Sequence, residues 1–215
     1  MDGNNRWSKK NHKNPYDAYS SGAKKLLTLS SYIFQNYEIN YISAFALSKK
    51  NLKRSSTIIG ALRKVFEYFL NQQNNLLNRS FQISFKGDFS FLDKKSIEKI
   101  HSLESNNPKS KKNLIIYINY SGKDDIIKSC NDYLHIHPNK KITDTIIKNN
   151  LYSKKIPDPD ILIRTGGYQR ISDFMLYQLS FTELMFTKKL WPDLSNTDLN
   201  KFIRKYYETE RKFGL

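Results

Sequence analysis

Two stretches of the chain hold residues that could act on an anion. In residues 160–192, DILIRTGGYQRISDFMLYQLSFTELMFTKKLWP, the apolar run Ile161-Leu162-Ile163 stops at Arg164, the pair Gly166-Gly167 follows, and Arg170 and Ser172 come next. That order predicts a buried strand, a tight turn and a helix start. It puts two guanidinium groups and a hydroxyl near the carboxyl end of a strand, where ligands sit in α/β sheets. Each guanidinium can grip oxygens bidentately and a helix N-terminus favours negative charge, so the ligand type is a multi-oxygen anion such as a diphosphate. The second stretch is the opening MDGNNRW. Asp2 could hold a hard cation, Gly3 lets backbone amides approach an anion closely, and Asn4 and Arg6 add donors. Taken alone, such a run is also an ordinary polar turn.

The elements that must position these residues follow from periodicity. Strands are expected at 41–47 (YISAFAL), 81–85, 114–120 (LIIYINY), 160–164 and 183–187. Helices are expected at 21–36, 58–77, 93–103, 124–134, 141–149, 173–179 and 198–212, that at 58–77 being strongly amphipathic through Ile58, Ile59, Leu62, Val65, Phe66, Phe69 and Leu70. Residues 1–15 read as a loop, as do the basic 48–56 (SKKNLKRSS) and 105–112 (SNNPKSKK). Strands alternating with helices predict an α/β fold: a mostly parallel central sheet flanked by helices on both faces, in a single domain over residues 1–215.

Composition narrows the class. The chain is 39% hydrophobic and 26% charged, as soluble globular proteins are, and no apolar run approaches the length of a membrane span. MDGNNRWSKK has no apolar stretch behind its charges and does not read as a secretory signal, and Cys130 is the single cysteine. Cytoplasm is the expected compartment. The net charge of +16 suits a polyanion partner, but Lys outnumbers Arg and Asn is abundant, so compositional drift is the preferred reading, with help to an anionic membrane surface left open. No helix-turn-helix, zinc finger or RNA-binding aromatic pattern appears, and no nucleic-acid partner is expected. His135 and His137 could bind metal from a strand end but lack a third ligand in a convincing spacing, and read as exposed structural histidines.

Read together, the two halves resemble the cis-prenyltransferases, the undecaprenyl diphosphate synthase family. Residues 1–8, MDGNNRWS, resemble MDGNGRWA; residues 163–174 resemble IRTGGE-RLSNF; residues 183–194, ELMFTKKLWPDL, resemble ELYFTDVLWPDF. Asn119-Tyr120-Ser121-Gly122-Lys123 resembles NYGGR, and Ala44-Phe45 with Asn51-Leu52-Lys53-Arg54 resembles AFS-ENWKR. The resemblance runs to the closing Arg211-Lys212-Phe213-Gly214. It implies condensation of isopentenyl diphosphate onto an allylic diphosphate, farnesyl diphosphate being the expected starter, to give a long polyprenyl diphosphate lipid carrier. It also implies Mg²⁺, a homodimer and peripheral membrane association at most. Carried over, Asp2 and Asn51 are the catalytic residues, and Asp2 and Glu183 are the metal residues. Gly3, Asn4, Arg6, Trp7 and Arg54 serve the allylic diphosphate, although Trp7 as a residue type reads as a packing anchor. Arg164, Arg170 and Ser172 hold isopentenyl diphosphate. The trans-acting prenyl synthases instead carry DDxxD; here Asp124-Asp125 continues Ile126-Ile127-Lys128 and fails that pattern. The helix at 58–77 is a candidate wall for a lipid tunnel.

The chain also departs from the pattern. The family strand resembling HVAIIMD precedes the first motif, so a translation start further upstream is the expected explanation. Asn5 replaces a glycine, Pro15 an arginine, Tyr19 a histidine and Leu52 a tryptophan, and the loop between Phe45 and Asn51 is about two residues longer than the family pattern. These changes motivate a second reading, a catalytically weak scaffold or partner subunit of the same fold. The retained Asp2, Arg6, Arg164, Arg170 and Glu183 argue against it.

Overall fold

The computed structural model describes residues 1–53, 60, 64, 66, 67, 69, 70, 80–105 and 110–210. In chain order the elements are α1 (Asn4–Lys10), α2 (Pro15–Asn36), β1 (Tyr41–Phe45), a 3-10 turn (Lys49–Lys53), β2 (Gln82–Gly87), α3 (Lys94–Ser105), β3 (Asn113–Ile118), α4 (Gly122–Ile136), α5 (Asp144–Asn150), β4 (Ile161–Arg164), β5 (Glu183–Phe186), a 3-10 turn (Trp191–Asp193) and α6 (Asn196–Glu208). The expected helix at 58–77, the centre of the 105–112 loop and Arg54 lie largely or wholly outside the described residues.

Every expected strand is present, and all pairs are parallel. β3 lies between β1 and β2, with Tyr41 and Gln82 both in register with Asn113. β4 pairs with β5, Ile161 opposite Glu183 and Arg164 opposite Phe186. From Leu114 onward β3 is apolar because both its faces are covered. Leu114, Ile116 and Ile118 enter a core with Leu26, Leu29 and Phe34 of α2 and Ile100 and Leu103 of α3. Ile115 and Tyr117 point the other way, onto Tyr120, Phe174 and Met175. The sheet comes in two parts: the edge of β1 and the edge of β4 both line a cavity of about 1480 Å³ rather than pairing with each other.

Three expectations are corrected. Residues 1–15 are not a loop: α1 occupies Asn4–Lys10, and α2 begins at Pro15, with Asn14 accepting from the Asp17 amide as N-cap. Pro15 suits the first helical position, where its fixed φ is already helical and no amide hydrogen is needed. Asn5, inside α1, needs no left-handed backbone; Gly3 does, at φ 110°. Residues 173–179 do not form a helix but a chain of turns, with Ser172, Asp173 and Met175 at φ 53°, 68° and 47°. Fixed hydrogen bonds outweigh the helical pattern there. Ser121 Oγ donates to Asp173 Oδ2 at 2.6 Å, the Lys123 amide donates to Oδ1, and the Gly122 amide donates to the Asp173 carbonyl. His135 and His137 sit in the last turn and C-cap of α4, not on a strand end, and both are exposed.

Candidate active site

Arg164 is the last residue of β4, so its side chain leaves the strand at the carboxyl end, beside the N-terminal segment. Its Nη2 donates to Asp2 Oδ2 at 2.8 Å, and its Nη1 donates to Ser172 Oγ at 2.6 Å and to the Arg170 carbonyl. Only 12% of the Arg164 side chain is exposed against 35% for Asp2. The ion pair is thus largely desolvated on the arginine side, where a hydrogen-bonded pair resists separation. Arg6 reaches the other Asp2 oxygen at 3.5 Å. The left-handed Ser172 is what turns its hydroxyl back towards Arg164.

Thr165 fixes Asp2 from below. Its buried hydroxyl accepts from the Asp2 amide at 2.9 Å and donates to the Asp2 carbonyl at 2.8 Å, and the Trp191 amide donates to the same carbonyl. The turn after β4 is pinned by Gly166 N–H to the Lys189 carbonyl and Gly167 N–H to the Thr187 carbonyl. Both glycines have positive φ, and a Cβ on Gly166 would stand 2.5 Å from Arg6 Nη2. Gly166 therefore admits the close approach of the two motifs, which is what unites residues 162 positions apart.

The sequence-predicted residues fall into two groups. Asp2, Gly3, Asn4, Arg6, Asn51, Arg164, Arg170 and Ser172 all line the cavity. Trp7 does not; its indole N–H donates to Asp193 Oδ1 at 2.7 Å, the behaviour of a packing anchor. Glu183 opens β5 in register with Ile161, three positions before the partner of Arg164. At the ~3.3 Å rise of a strand its backbone lies about 10 Å along the sheet from the Arg164 end. Sequence reasoning missed Thr165, Tyr168, Lys50, Lys123 and Asp173. Thr165, Tyr168 and Asp173 stand inside the quoted motif, but a polar or aromatic residue in a turn carries no sign of its partner. Lys50 and Lys123 line the same cavity from the 3-10 turn Lys49–Lys53 and from the first turn of α4.

The same cavity is lined by the aliphatic Leu26, Leu29, Ile33, Ile42, Leu162, Leu199 and Ile203, with the polar Ser30, Glu38, Asn40 and Asp160 among them. Phe45 and Phe174 line it as a stacked pair, ring centroids 4.6 Å apart. Behind them, buried Asp125 accepts from the Tyr152 amide and the Tyr120 hydroxyl, each at 3.0 Å. Burial raises the Asp125 pKa, the two hydrogen bonds opposing it, and burial followed by the Asp125 charge raises Tyr117 and Tyr120.

Among the described residues no three His, Cys, Asp or Glu side chains cluster as a metal site. That suits a metal held by one carboxylate plus phosphate oxygens, the usual arrangement for Mg²⁺, better than a protein cage. Asp2, partly exposed beside Arg6 and Arg164, is the carboxylate that could serve as that donor.

The family model described as putative undecaprenyl diphosphate synthase matches residues 1–214. An isoprenyl transferase of Rickettsia sibirica is 34% identical across all of this chain and 95% of its own length. Dehydrodolichyl diphosphate synthase 4 of Arabidopsis thaliana is 32% identical across all of this chain and 77% of its own. The crystal structure of lavandulyl diphosphate synthase from Lavandula x intermedia, in complex with dimethylallyl diphosphate, superposes with a TM-score of 0.89 at 28% identity, covering all of this chain and 95% of that one. The chain belongs to the undecaprenyl diphosphate synthase family, the cis-prenyltransferases, and is an isoprenyl transferase of that type.

Proposed function

We propose that the protein condenses isopentenyl diphosphate onto an allylic diphosphate, farnesyl diphosphate as starter, with cis geometry, and that its product is a long polyprenyl diphosphate lipid carrier. The observation that carries this reading is one cavity lined both by the guanidinium and carboxylate groups of Arg6, Arg164, Arg170 and Asp2 and by a set of aliphatic and aromatic side chains. Its volume exceeds the roughly 300–1000 Å³ of ordinary small-molecule sites, which favours a long apolar substrate.

In this reading Arg6, Gly3 and Asn4 cradle the allylic diphosphate, and Arg164, Arg170 and Ser172 hold isopentenyl diphosphate. The allylic C–O bond breaks with its electron pair going to the diphosphate, the π electrons of isopentenyl diphosphate form the new C–C bond, and a proton is lost to restore a double bond. Negative charge grows on the leaving diphosphate, and fixed guanidinium groups in a partly desolvated site stabilise that charge. Asp2 would hold Mg²⁺, which would supply further charge neutralisation. Asn51, beside Lys50 in the 3-10 turn Lys49–Lys53, lines the same cavity. A homodimer is the assembly we read, and exposed Phe181 and Leu184 offer an apolar surface for it.

The test is incorporation of labelled isopentenyl diphosphate onto farnesyl diphosphate with Mg²⁺. Butanol-extractable polyprenyl product that disappears with EDTA is the expected outcome, and its length reports the product class. A folded protein that makes no product with farnesyl, geranyl or dimethylallyl diphosphate refutes the reading in favour of the scaffold.

A further inference from the structure

Tyr168 stands in the turn after β4 with 44% of its surface exposed, at the position where the resembled motif IRTGGE-RLSNF carries its glutamate. Three guanidinium groups gather on its ring: Arg170 at 4.1 Å from the centroid, Arg6 at 5.0 Å and Arg164 at 5.8 Å. Arg164 is independently held by Asp2 and Ser172. Arg6 has only a long 3.5 Å contact to Asp2, and Arg170 forms no ion pair with a carboxylate among the described residues. Three like charges this close repel one another, so something must hold the outer two in place before a ligand arrives.

We propose that Tyr168 is a positioning residue that assembles the anion site, its ring face holding Arg6 and Arg170 beside Arg164 by cation–π contact. This rests on the reading of these cavity-lining arginines as a diphosphate site. The ring supplies attraction through its quadrupole without carrying a negative charge. Asp2, Arg6, Arg164 and Arg170 together therefore keep a charge of +2 for the ligand, which a carboxylate at 168 would lower to +1. The ring also ties the arginine of the N-terminal motif to those of the later motif. The two diphosphate cradles are thereby set at a fixed spacing, which is what in-line transfer between two bound substrates requires.

The experiment compares the wild type with Tyr168→Phe, Tyr168→Leu and, as a second truncation, Tyr168→Gln, titrating each with inorganic diphosphate by calorimetry at fixed ionic strength and then measuring KM and kcat for isopentenyl diphosphate. The ring is half-exposed, so thermal stability is expected to stay at the wild-type value. Tyr168→Leu and Tyr168→Gln are expected to bind diphosphate about five- to tenfold more weakly, with KM raised to match and kcat lowered as the fixed spacing of the two cradles is lost. Tyr168→Phe keeps the ring face and is expected to match the wild type. Wild-type affinity in the Leu and Gln variants overturns the proposal, as does a Phe variant as weak as Leu, which would place the effect in the hydroxyl. A wild type that binds no diphosphate instead refutes the proposed function of the site.

Discussion

Gly166 and Gly167 form a matched pair in which backbone strain and site geometry can be separated. Their φ angles are 87° and 83°, so alanine at either position places an L side chain in the left-handed region. That costs roughly 1–2 kcal/mol, or a fall of about 2–8 °C in Tm for a chain of this size. The surroundings differ. A Cβ at 167 meets nothing nearer than Lys188 Cα at 3.8 Å, whereas at 166 it lies 2.5 Å from Arg6 Nη2 and 3.2 Å from Asp2 Cβ and Cγ. The Arg6 side chain, 45% exposed, can swing away at little cost in stability, but it then leaves the site. A charged hydrogen bond contributes about 1.5–3 kcal/mol when sheltered, and exposure brings this nearer 1 kcal/mol, so about five- to tenfold in affinity is at stake. Gly166→Ala and Gly167→Ala should therefore lose similar stability in thermal unfolding, and only Gly166→Ala should bind inorganic diphosphate five- to tenfold more weakly in calorimetry. Equal affinities in the two variants would refute the claim that close approach at Gly166 places Arg6.

Asp2→Ala should lower kcat by orders of magnitude in the incorporation assay while circular dichroism stays native, because the backbone bonds of residue 2 to Thr165 and Trp191 do not use its carboxylate; retained turnover would remove Asp2 from the site. Asp125→Asn keeps an acceptor for the Tyr152 amide and removes a charge that burial disfavours, so denaturant unfolding should show a change within about 1 kcal/mol. Asp125→Ala should cost about 2–3 kcal/mol through the unpaired Tyr120 hydroxyl and Tyr152 amide, and an inverted order would contradict the network. Burial opposes the Asp198 charge, but hydrogen bonds from Lys189 and Ser195 prevail and lower its pKa to about 2. A depressed carboxylate pKa gives stability that is present above the unfolded value near 4 and lost as pH falls through about 2. Asp198→Asn should therefore flatten the wild-type loss of stability between those pH values, and an unchanged acid profile would refute the assignment.

The sequence by itself determined much of the scaffold. The apolar runs at 41–47, 114–120 and 160–164 became β1, β3 and β4, the apolar pattern being most continuous in β3, which is buried on both faces. The residue types of the anion site were legible too, because phosphate chemistry restricts the choice to guanidinium, hydroxyl, glycine and carboxylate. Tertiary structure alone decided the rest. Residues 173–179 have a helical pattern but became turns, because Asp173 is captured by Ser121 and Lys123, 52 and 50 positions away. Trp7 and Glu183 belong to motifs that carry the site, yet one is turned onto Asp193 and the other is fixed three pairs along β5 from the Arg164 end. The ring of Tyr168 beneath three arginines was equally out of reach of sequence reasoning. Periodicity reports which face of an element is buried, but the partner across a contact of long sequence separation is set when the elements pack, and in this chain those contacts build the site.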